Sequence, residues 1–537
     1  MSRRTTWLVA TTGVVAASLG VAGFVAFGGG SDDSPFTSPD DRPRRGGTLT
    51  IAAPDLTSLD PARARNPIEV MVADHLYDTL VTFDDDLDPA PGVAEGWEPS
   101  FDQQTFTFTL REGVTFHDGR PVTSADVKAT LERISAPGST SDFRFLLEDV
   151  TGYEAHHVEG QGGGLSGVTA PDPRTVVIEL SEPFAQFPAV LGNPGFGIVP
   201  ADAGADFGES PIGSGPMKFE GRDDDVIHLV ANAAYEPDPA YIDGIDLVLS
   251  ESTTEAYEAL RDGVVDLAPV PADDVNAARD AYGDAGFGPL MAGVFYGMNT
   301  AAPDLADPRM RAAILAAVDR TRIVDLAYRS SVIVADGLVP SGIPGWVENA
   351  CGDRCVHDPD RARSLVAEAF PDGSVPEITI DFDDDPVQAL MAGAIEADLE
   401  AVGIPATLRP HAFGDYGPFL IQGDPELFRS GWTADYPSAD AFLYPLFVSG
   451  QDDNLVRLDV ESVDNLLREA RAEPDPRERR ARYREAEQLV LDQYPVVPVA
   501  QFTNRWAVGE EVRRFEMTPL GTFDVARLFL TRAPGSG

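Results

Sequence analysis

The sequence predicts an α/β protein in which helices cover mixed sheets. Segments with the alternating pattern of strands and segments with one apolar helix face follow one another along most of the chain. Hydrophobic residues make up 43% of the 537 residues and aromatic residues 9%, which is enough to fill several cores and excludes disorder throughout. At about 150 residues per domain, this length corresponds to three or four domain equivalents.

The clearest predicted strand is residues 105–110, TFTFTL, where threonine and phenylalanine alternate as in a strand with one buried face. The segment GGTLTIAA, residues 46–53, is predicted as the first strand. Further strands are predicted at residues 175–180, 226–230, 245–249, 377–382 and 496–500.

Three predicted helices share one start signal, a capping aspartate followed by proline in the first helical position. The pairs are Asp307-Pro308, Asp358-Pro359 and Asp475-Pro476. The residues predicted to line one face are Met310, Ile314, Ala317 and Val318 after the first pair, and Tyr483, Ala486 and Val490 after the third.

The chain is strongly acidic, since 88 Asp and Glu residues against 40 Lys and Arg residues give a formal net charge of −48 at pH 7. Binding to nucleic acid needs clustered basic residues that neutralise phosphates, so the composition excludes a nucleic-acid partner. The excess negative charge favours a soluble monomer.

The amino terminus predicts export. Arg3 and Arg4 precede an uncharged, mainly apolar run at residues 7–27, as in a secretory signal or a signal anchor. Residues 1–28 therefore form a signal peptide or an anchor in the cytoplasmic membrane, followed by a Pro/Asp/Arg-rich linker at residues 29–45. The rest of the protein is expected outside that membrane, at its outer face or in the periplasm or cell-wall space.

Cys351 and Cys355 are the two cysteines of the chain. Their three-residue spacer matches neither a C-x-x-C redox motif nor half of a four-ligand zinc site. In an exported protein this spacing favours one local disulfide over two free thiols.

No motif for catalysis, for a cofactor or for a metal ion is found in the sequence, which lacks a G-x-S-x-G elbow, an H-E-x-x-H pair and a P-loop. Asp84, Asp86, Asp88 and Glu95 fall at positions 1, 3, 5 and 12 of a calcium loop, but Pro89 stands where that loop needs a glycine. We therefore expect no cofactor and no metal site.

An ordered set of segments carries a family resemblance. The longest is APGVAEGWEPSFDQQTFTFTLREGVTFHDGRPVTSADVKATLERI, residues 90–134. Four others are SLDPARA (58–64), PIGSGPMKF (211–219), MNTAAPDLADPRMRAAILAAVDRTRIV (298–324) and HDPDRARSLVAEA (357–369). Over roughly residues 46 to 510, the chain resembles the dipeptide/oligopeptide- and nickel-binding solute receptors of ABC importers, the extracellular solute-binding proteins of family 5.

This resemblance implies a two-lobed periplasmic-binding-protein fold with mixed sheets and an inserted third domain. The implied domain I is discontinuous, domain II is the insertion, and ligand is enclosed between domains I and III when a hinge closes. The implied bounds are 46–85, 200–290 and 500–537 for domain I, 86–199 for domain II and 291–499 for domain III.

A further segment, RSGWTADYPSADAFLYPLF at residues 429–447, is similar to the one with which peptide-binding members recognise their ligand. The resemblance implies that Asp435 pairs with the α-amino group of a peptide and that Arg429 reaches the ligand carboxylate. Trp432 and Tyr436 would wall the cleft. Two alternatives stay open: Asp435 as a helix cap or Asx turn before Pro437, and the two aromatic residues as core.

The implied function is a receptor, not an enzyme, that captures small peptides and delivers them to an ABC import permease with its ATPase subunits. One alternative is a receptor on the same fold for a nickel chelate, haem or an oligosaccharide. A remote alternative is a secreted acid hydrolase with paired carboxylates, although no such pair is identifiable. The sequence DYPSAD departs from the D-Y-P-D-P common in the family, which bears on the class of ligand.

Overall fold

The protein is described by a computed structural model, which covers residues 42–54, 56–160, 163–236, 239–329 and 331–532. These residues form strands and α-helices that follow one another along the chain, which confirms the predicted α/β class. The predicted signal or anchor at residues 7–27 lies outside the described residues. Among the residues that are described, no helix has the length and apolar character needed to cross a membrane.

Eleven strands form one large mixed sheet. Their bounds are β1 Thr48–Pro54, β8 Met217–Asp223, β9 Val226–Ala231, β10 Gly244–Ser250, β11 Leu267–Pro269, β12 Phe287–Met298, β13 Val332–Val334, β14 Ile378–Asp383, β15 Ala406–His411, β16 Leu427–Thr433 and β17 Val496–Val508. Their spatial order is β15, β14, β16, β12, β17, β11, β1, β10, β9, β8, and β13 also pairs with β17.

Two parallel regions of this sheet are joined by long antiparallel strands. In one region β1 pairs in parallel with β10 and β11, and in the other β14 pairs in parallel with β15 and β16. Strand β17 pairs with β12 along most of its length and with β11 at its end. The polypeptide therefore passes from one region to the other along β12 and returns along β17.

A separate antiparallel sheet has four strands in the order β4, β5, β7, β6. Their bounds are β4 Ala94–Pro99, β5 Thr105–Leu110, β6 Val168–Asp172 and β7 Thr175–Glu179. The predicted alternation of 105–110 is confirmed, because Phe106, Phe108 and Leu110 are buried. Two small antiparallel sheets of two strands each complete the described strands: β2 Val81–Phe83 with β3 Pro89–Pro91, and β18 Val512–Arg513 with β19 Phe529–Leu530.

The helices pack on these sheets. Their bounds are α1 Pro67–Leu76, α2 Ser124–Ile134, α3 Phe187–Val190, α4 Thr253–Arg261, α5 Val275–Tyr282, α6 Pro308–Ala317, α7 Arg320–Ala327, α8 Pro359–Ala369, α9 Pro386–Ala401, α10 Phe413–Gln422, α11 Asp440–Phe447, α12 Glu461–Ala472 and α13 Pro476–Leu491. The three predicted aspartate caps are confirmed, since the carboxylates of Asp307, Asp358 and Asp475 accept backbone N–H groups at the starts of α6, α8 and α13.

The residues predicted to line the apolar face of α6 are buried, but so is every other residue from Met310 to Ala317. From Met310 onward this helix is covered on all sides, and its neighbours include α8, α9 and β17. Val318 lies just beyond its end as the capping residue. The predicted face of α13 is confirmed, with Tyr483, Ala486 and Val490 buried.

One apolar cluster connects the four-stranded sheet to the last helices. It includes Phe106 and Phe187 beside that sheet, and Leu443, Leu467 and Tyr483 on α11, α12 and α13. Because the cluster is continuous, the segment after β16 is packed against residues that lie some 250 positions earlier in the sequence. The segment predicted to bind the ligand begins on β16 and enters this region.

Candidate functional site

Strand β16 leaves one edge unpaired for most of its length. It pairs with β12 from Leu427 to Thr433, but with β14 only at Leu427 and Phe428. Within the described part of the chain, no strand pairs with the other edge of residues 429–433. The backbone carbonyl of Arg429 points to that edge, since it accepts a hydrogen bond from the Tyr416 hydroxyl at 2.7 Å. Alternate residues point the same way, so Gly431 and Thr433 also present their backbone groups there.

Arg429 is half-buried and lies opposite Tyr296 of β12. No carboxylate of a described residue forms an ion pair with it, and its Nε atom is buried without a hydrogen-bond partner. Burial raises the pKa of the Tyr296 hydroxyl above its usual range, and the positive charge of Arg429 opposes that rise. The Arg429 guanidinium is therefore a cation without a counter-ion among the described side chains.

Other polar atoms around Arg429 also lack partners. Tyr296 Oη, Asp383 Oδ1 and Gln388 Oε1 are buried and accept or donate no hydrogen bond among the described residues. Asp383 interacts electrostatically with Tyr296, as Arg429 does. A ligand group that brought both hydrogen-bond donors and acceptors would satisfy such atoms, which otherwise reduce stability.

Asp435 lies in the segment that follows β16 and is half-buried. Among the described residues, none donates a hydrogen bond to its carboxylate and none forms an ion pair with it, whereas its backbone carbonyl accepts a hydrogen bond from Asn193 Nδ2 at 2.7 Å. Burial raises the pKa of the Asp435 carboxyl to about 7, and the negative charge of Asp453 adds to the rise. A cation beside this carboxyl would restore its ionised form.

The two predicted aromatic residues face the interior. Trp432 is half-buried, packs on the cluster shared with α11 and donates from Nε1 to the carbonyl of Ala441 at 2.6 Å. Tyr436 is only 5% exposed, and its hydroxyl donates to Asp440 Oδ2 at 2.7 Å. Both rings thus pack on the apolar cluster, and their part in ligand binding stays a prediction.

The four predicted ligand residues thus lie in different surroundings. Arg429 and Trp432 lie on opposite faces of β16, since side chains of a strand alternate and their positions differ by three. Asp435 follows the strand with a carboxylate that has no partner among the described residues, and Tyr436 is buried. A disulfide joins Cys351 and Cys355, which are both buried and lie far from this segment in sequence.

Sequence reasoning missed a cavity of about 1050 Å³. It is lined by parts of residues 74–92, 192–194, 342–344 and 514–527, and by none of the four predicted ligand residues. Burial raises the pKa of Asp74 in its wall to about 7, with repulsion from Asp524 and Asp78 in addition. Gly192 and Pro194 of the wall flank Asn193, so the cavity approaches the Asp435 segment from one side.

Comparison with known proteins identifies the family. The model for "Bacterial extracellular solute-binding proteins, family 5 Middle" matches residues 88–454. The chain belongs to this family. The dipeptide-binding protein DppE of Bacillus subtilis is 26% identical over 502 residues, which are 87% of this chain and 89% of that protein. A probable di/tripeptide-binding protein of Pseudomonas aeruginosa is 27% identical over 488 residues, 86% of this chain and 91% of that protein.

A solved structure supports the same conclusion. The clavulanic acid biosynthesis oligopeptide binding protein 2 superposes with a TM-score of 0.80 at 25% identity, covering 91% of this family 5 protein and 96% of that chain. The expected periplasmic-binding-protein fold, with mixed sheets and several domains, is thereby confirmed. Members of the family are solute-binding receptors outside the cytoplasm, as the family description states.

Proposed function

We propose that the protein captures peptides outside the cytoplasmic membrane and delivers them to an ABC import permease and its ATPase subunits. The observation that carries this proposal is the Asp435 carboxylate, which is half-buried and has no partner among the described residues. A peptide α-ammonium is a cation of suitable charge and would form a charge-assisted pair with it. Two of the compared relatives are named for dipeptides and di/tripeptides, which supports a peptide ligand.

The unpaired edge of β16 supplies the second element of peptide recognition. An extended peptide added along residues 429–433 would exchange backbone hydrogen bonds with Gly431 and Thr433, whatever its side chains. Arg429 lies four residues before the end of this edge and offers its cation to the ligand carboxylate. The edge and Arg429 would thus bind the backbone and the carboxylate, which all peptides share.

The domain organisation belongs to the same proposal. Residues 86–199 would form the insertion, which is supported because all four strands of the separate sheet lie within that range. Ligand would be held between domain I (46–85, 200–290, 500–537) and domain III (291–499). Closure would bend the two crossing strands β12 and β17, which connect the two regions of the large sheet.

The proposal also includes a membrane anchor and a receptor that catalyses no reaction. Residues 7–27 would hold the receptor at the outer face of the cytoplasmic membrane, and the protein would release its ligand unchanged. Amino-terminal sequencing of the exported protein tests the anchor, since a mature chain that starts near Gly29 means release.

The ligand is tested with the whole exported protein. Mass spectrometry of molecules that copurify with it should find peptides with free amino termini. Calorimetry with di-, tri- and tetra-alanine, each free and N-acetylated, should show that acetylation weakens binding. The proposal would be wrong if a metal chelate, haem or an oligosaccharide copurified and no peptide bound. The copurified solute would then be the ligand.

A further inference from the structure

A buried arginine connects two distant parts of the chain. Arg471 of α12 has a side chain that is only 8% exposed. Its guanidinium lies between the rings of Phe184 and Tyr444, with its carbon 3.9 Å from each ring centre. Its Nη2 atom is 2.7 Å from Asp149 Oδ2, and its Nε atom is 3.4 Å from Asp440 Oδ2. A cation in such a place is retained only with close partners.

Asp440, the first residue of α11, is contacted by three side chains. It is fully buried. In addition to Arg471, the hydroxyl of Tyr436 donates to Oδ2 and the hydroxyl of Tyr483 donates to Oδ1, both at 2.7 Å. Each carboxylate oxygen thus accepts one tyrosine hydroxyl, and the Arg471 charge lies at ion-pair distance from Oδ2.

Tyr436 is held at both ends by partners of Arg471. Its hydroxyl binds Asp440, which Arg471 approaches, and its ring centre lies 6.1 Å from that of Phe184, on which the Arg471 guanidinium packs. Tyr436 is the residue directly after Asp435. These contacts at the ring and the hydroxyl of Tyr436 restrict the backbone from which the Asp435 side chain projects.

We propose that Arg471 and Asp440 are positioning residues of the ligand site, which act through Tyr436 to hold the Asp435 carboxylate toward the ligand amine. This inference rests on the proposed function and assigns the buried network a part in it. Tyr436 is then a support of the site and not a wall of the cleft. Since Asp149 and Phe184 belong to the segment before residue 190, the network also ties that segment to the ligand residue.

Two tyrosines of the network form a matched pair for the test. Tyr436→Phe and Tyr483→Phe each delete one buried hydroxyl that donates to the same carboxylate at 2.7 Å. Tyr483 lies on α13 and is not adjacent to Asp435, so both variants should lose similar thermal stability, while only Tyr436→Phe should disturb Asp435. Arg471→Lys keeps the charge but loses the planar group between the two rings.

Two measurements on the folded full-length variants test the proposal. In calorimetry, the affinity ratio of tri-alanine to N-acetyl-tri-alanine should fall by about fivefold or more in Tyr436→Phe and Arg471→Lys, and stay at the wild-type value in Tyr483→Phe. In crystal structures, the Asp435 carboxyl should be displaced in the first two variants and unmoved in the third.

The outcomes separate this inference from the proposed function. An unmoved Asp435 in both Tyr436→Phe and Arg471→Lys would overturn the positioning role, whatever the peptides do. An equal fall of the affinity ratio in Tyr483→Phe would also overturn it, because the network would then act only through stability. Equal binding of the two peptides by the wild-type protein would overturn the proposed amine recognition, and the crystal structures would still decide the positioning role.

Discussion

The side-chain amide of Asn193 donates a hydrogen bond of 2.7 Å to the backbone carbonyl of Asp435, which lies 242 residues later in the sequence. The same side chain accepts the N–H of Gly195 through Oδ1 at 2.8 Å. The Asn193 side chain thus stabilises the turn at residues 193–195 and binds the backbone of Asp435, the residue proposed to pair with the ligand amine.

We expect Asn193→Asp to weaken peptide binding by roughly 3- to 30-fold, because the new carboxylate keeps the bond to Gly195 but cannot donate to Asp435. Asn232→Asp is the matched control, since Asn232 donates to Gly215 O at 3.2 Å and accepts from Ala234 N at 3.3 Å. Both variants should lose about 1–3 kcal/mol of unfolding free energy in chemical denaturation. Equal affinities of both variants for tri-alanine would contradict the prediction.

The sequence predicted elements best where a local pattern decides them. The strand at 105–110 has the predicted bounds, because alternation alone places its three apolar residues in one core. Strand β17 runs to Val508, eight residues beyond the predicted end, since its second half is fixed by pairing with β12 and β11. The burial of every residue of α6 from Met310 onward likewise depends on which elements surround it, which no local pattern shows.

The site was harder to predict because it also depends on residues that are distant in sequence. The resemblance pointed to Asp435, but the burial of Tyr436 follows from Asp440, Tyr483 and Phe184, which come from separate segments. Arg471 and Asp149 are 322 residues apart and belong to no motif. Contacts between residues so far apart in sequence are set by the tertiary fold, so local periodicity and capping signals do not predict them.

The disulfide prediction concerns Cys351 and Cys355, which are joined and buried. Thiol labelling of the denatured, unreduced exported protein should detect no free thiol. Replacing both residues with serine should lower the unfolding free energy by about 2 kcal/mol, because the loop that the bond closes is short. Two labelled thiols per chain in unreduced protein would refute the bond.

Asp74 should make stability depend on pH. Burial raises the pKa of this carboxyl from 3.8 to about 7, so the folded state binds a proton that the unfolded state releases between these values. The unfolding free energy should therefore fall as pH rises from about 4 to 7. Asp74→Asn should be more stable than the wild type at pH 8, by roughly 1–3 kcal/mol, and nearly equal at pH 4.

The control for Asp74 is Asp223→Asn, since the Asp223 side chain is 92% exposed. Its stability curve in urea should follow the wild type at both pH values. If Asp74→Asn differed from the wild type in unfolding free energy by the same amount at pH 4 and at pH 8, the Asp74 carboxyl would not titrate with folding.

Peptide affinity should pass through a maximum near neutral pH. Burial raises the pKa of Asp435 to about 7, and the ligand ammonium binds its ionised form, so binding must expel a proton below that pH. Affinity should fall by up to about tenfold per pH unit below 7. It should also fall above about pH 8, where the peptide α-amine loses its proton. Calorimetry in two buffers of different ionisation enthalpy should detect the released proton at pH 6, and Asp435→Asn should abolish that release.

The charge of Asp435 itself is tested by Asp435→Asn, which keeps the shape of the side chain. In a poorly hydrated site the ligand ammonium would lose its counter-ion, at a cost of roughly 2–5 kcal/mol, or about 30-fold to several-thousand-fold in affinity. The unfolding free energy should not fall, because no described residue donates a hydrogen bond to the carboxylate that is replaced.

An N-acetylated peptide removes the other half of the same ion pair. It should bind the wild type more weakly than the free peptide, but lose little further affinity on Asp435→Asn, since both changes delete one interaction. Calorimetry on the four combinations measures the coupling. Additive losses, or an Asp435→Asn protein that no longer folds, would make the residue structural. Recognition of a peptide α-amine would then lose its support, and a non-peptide solute would become the favoured ligand.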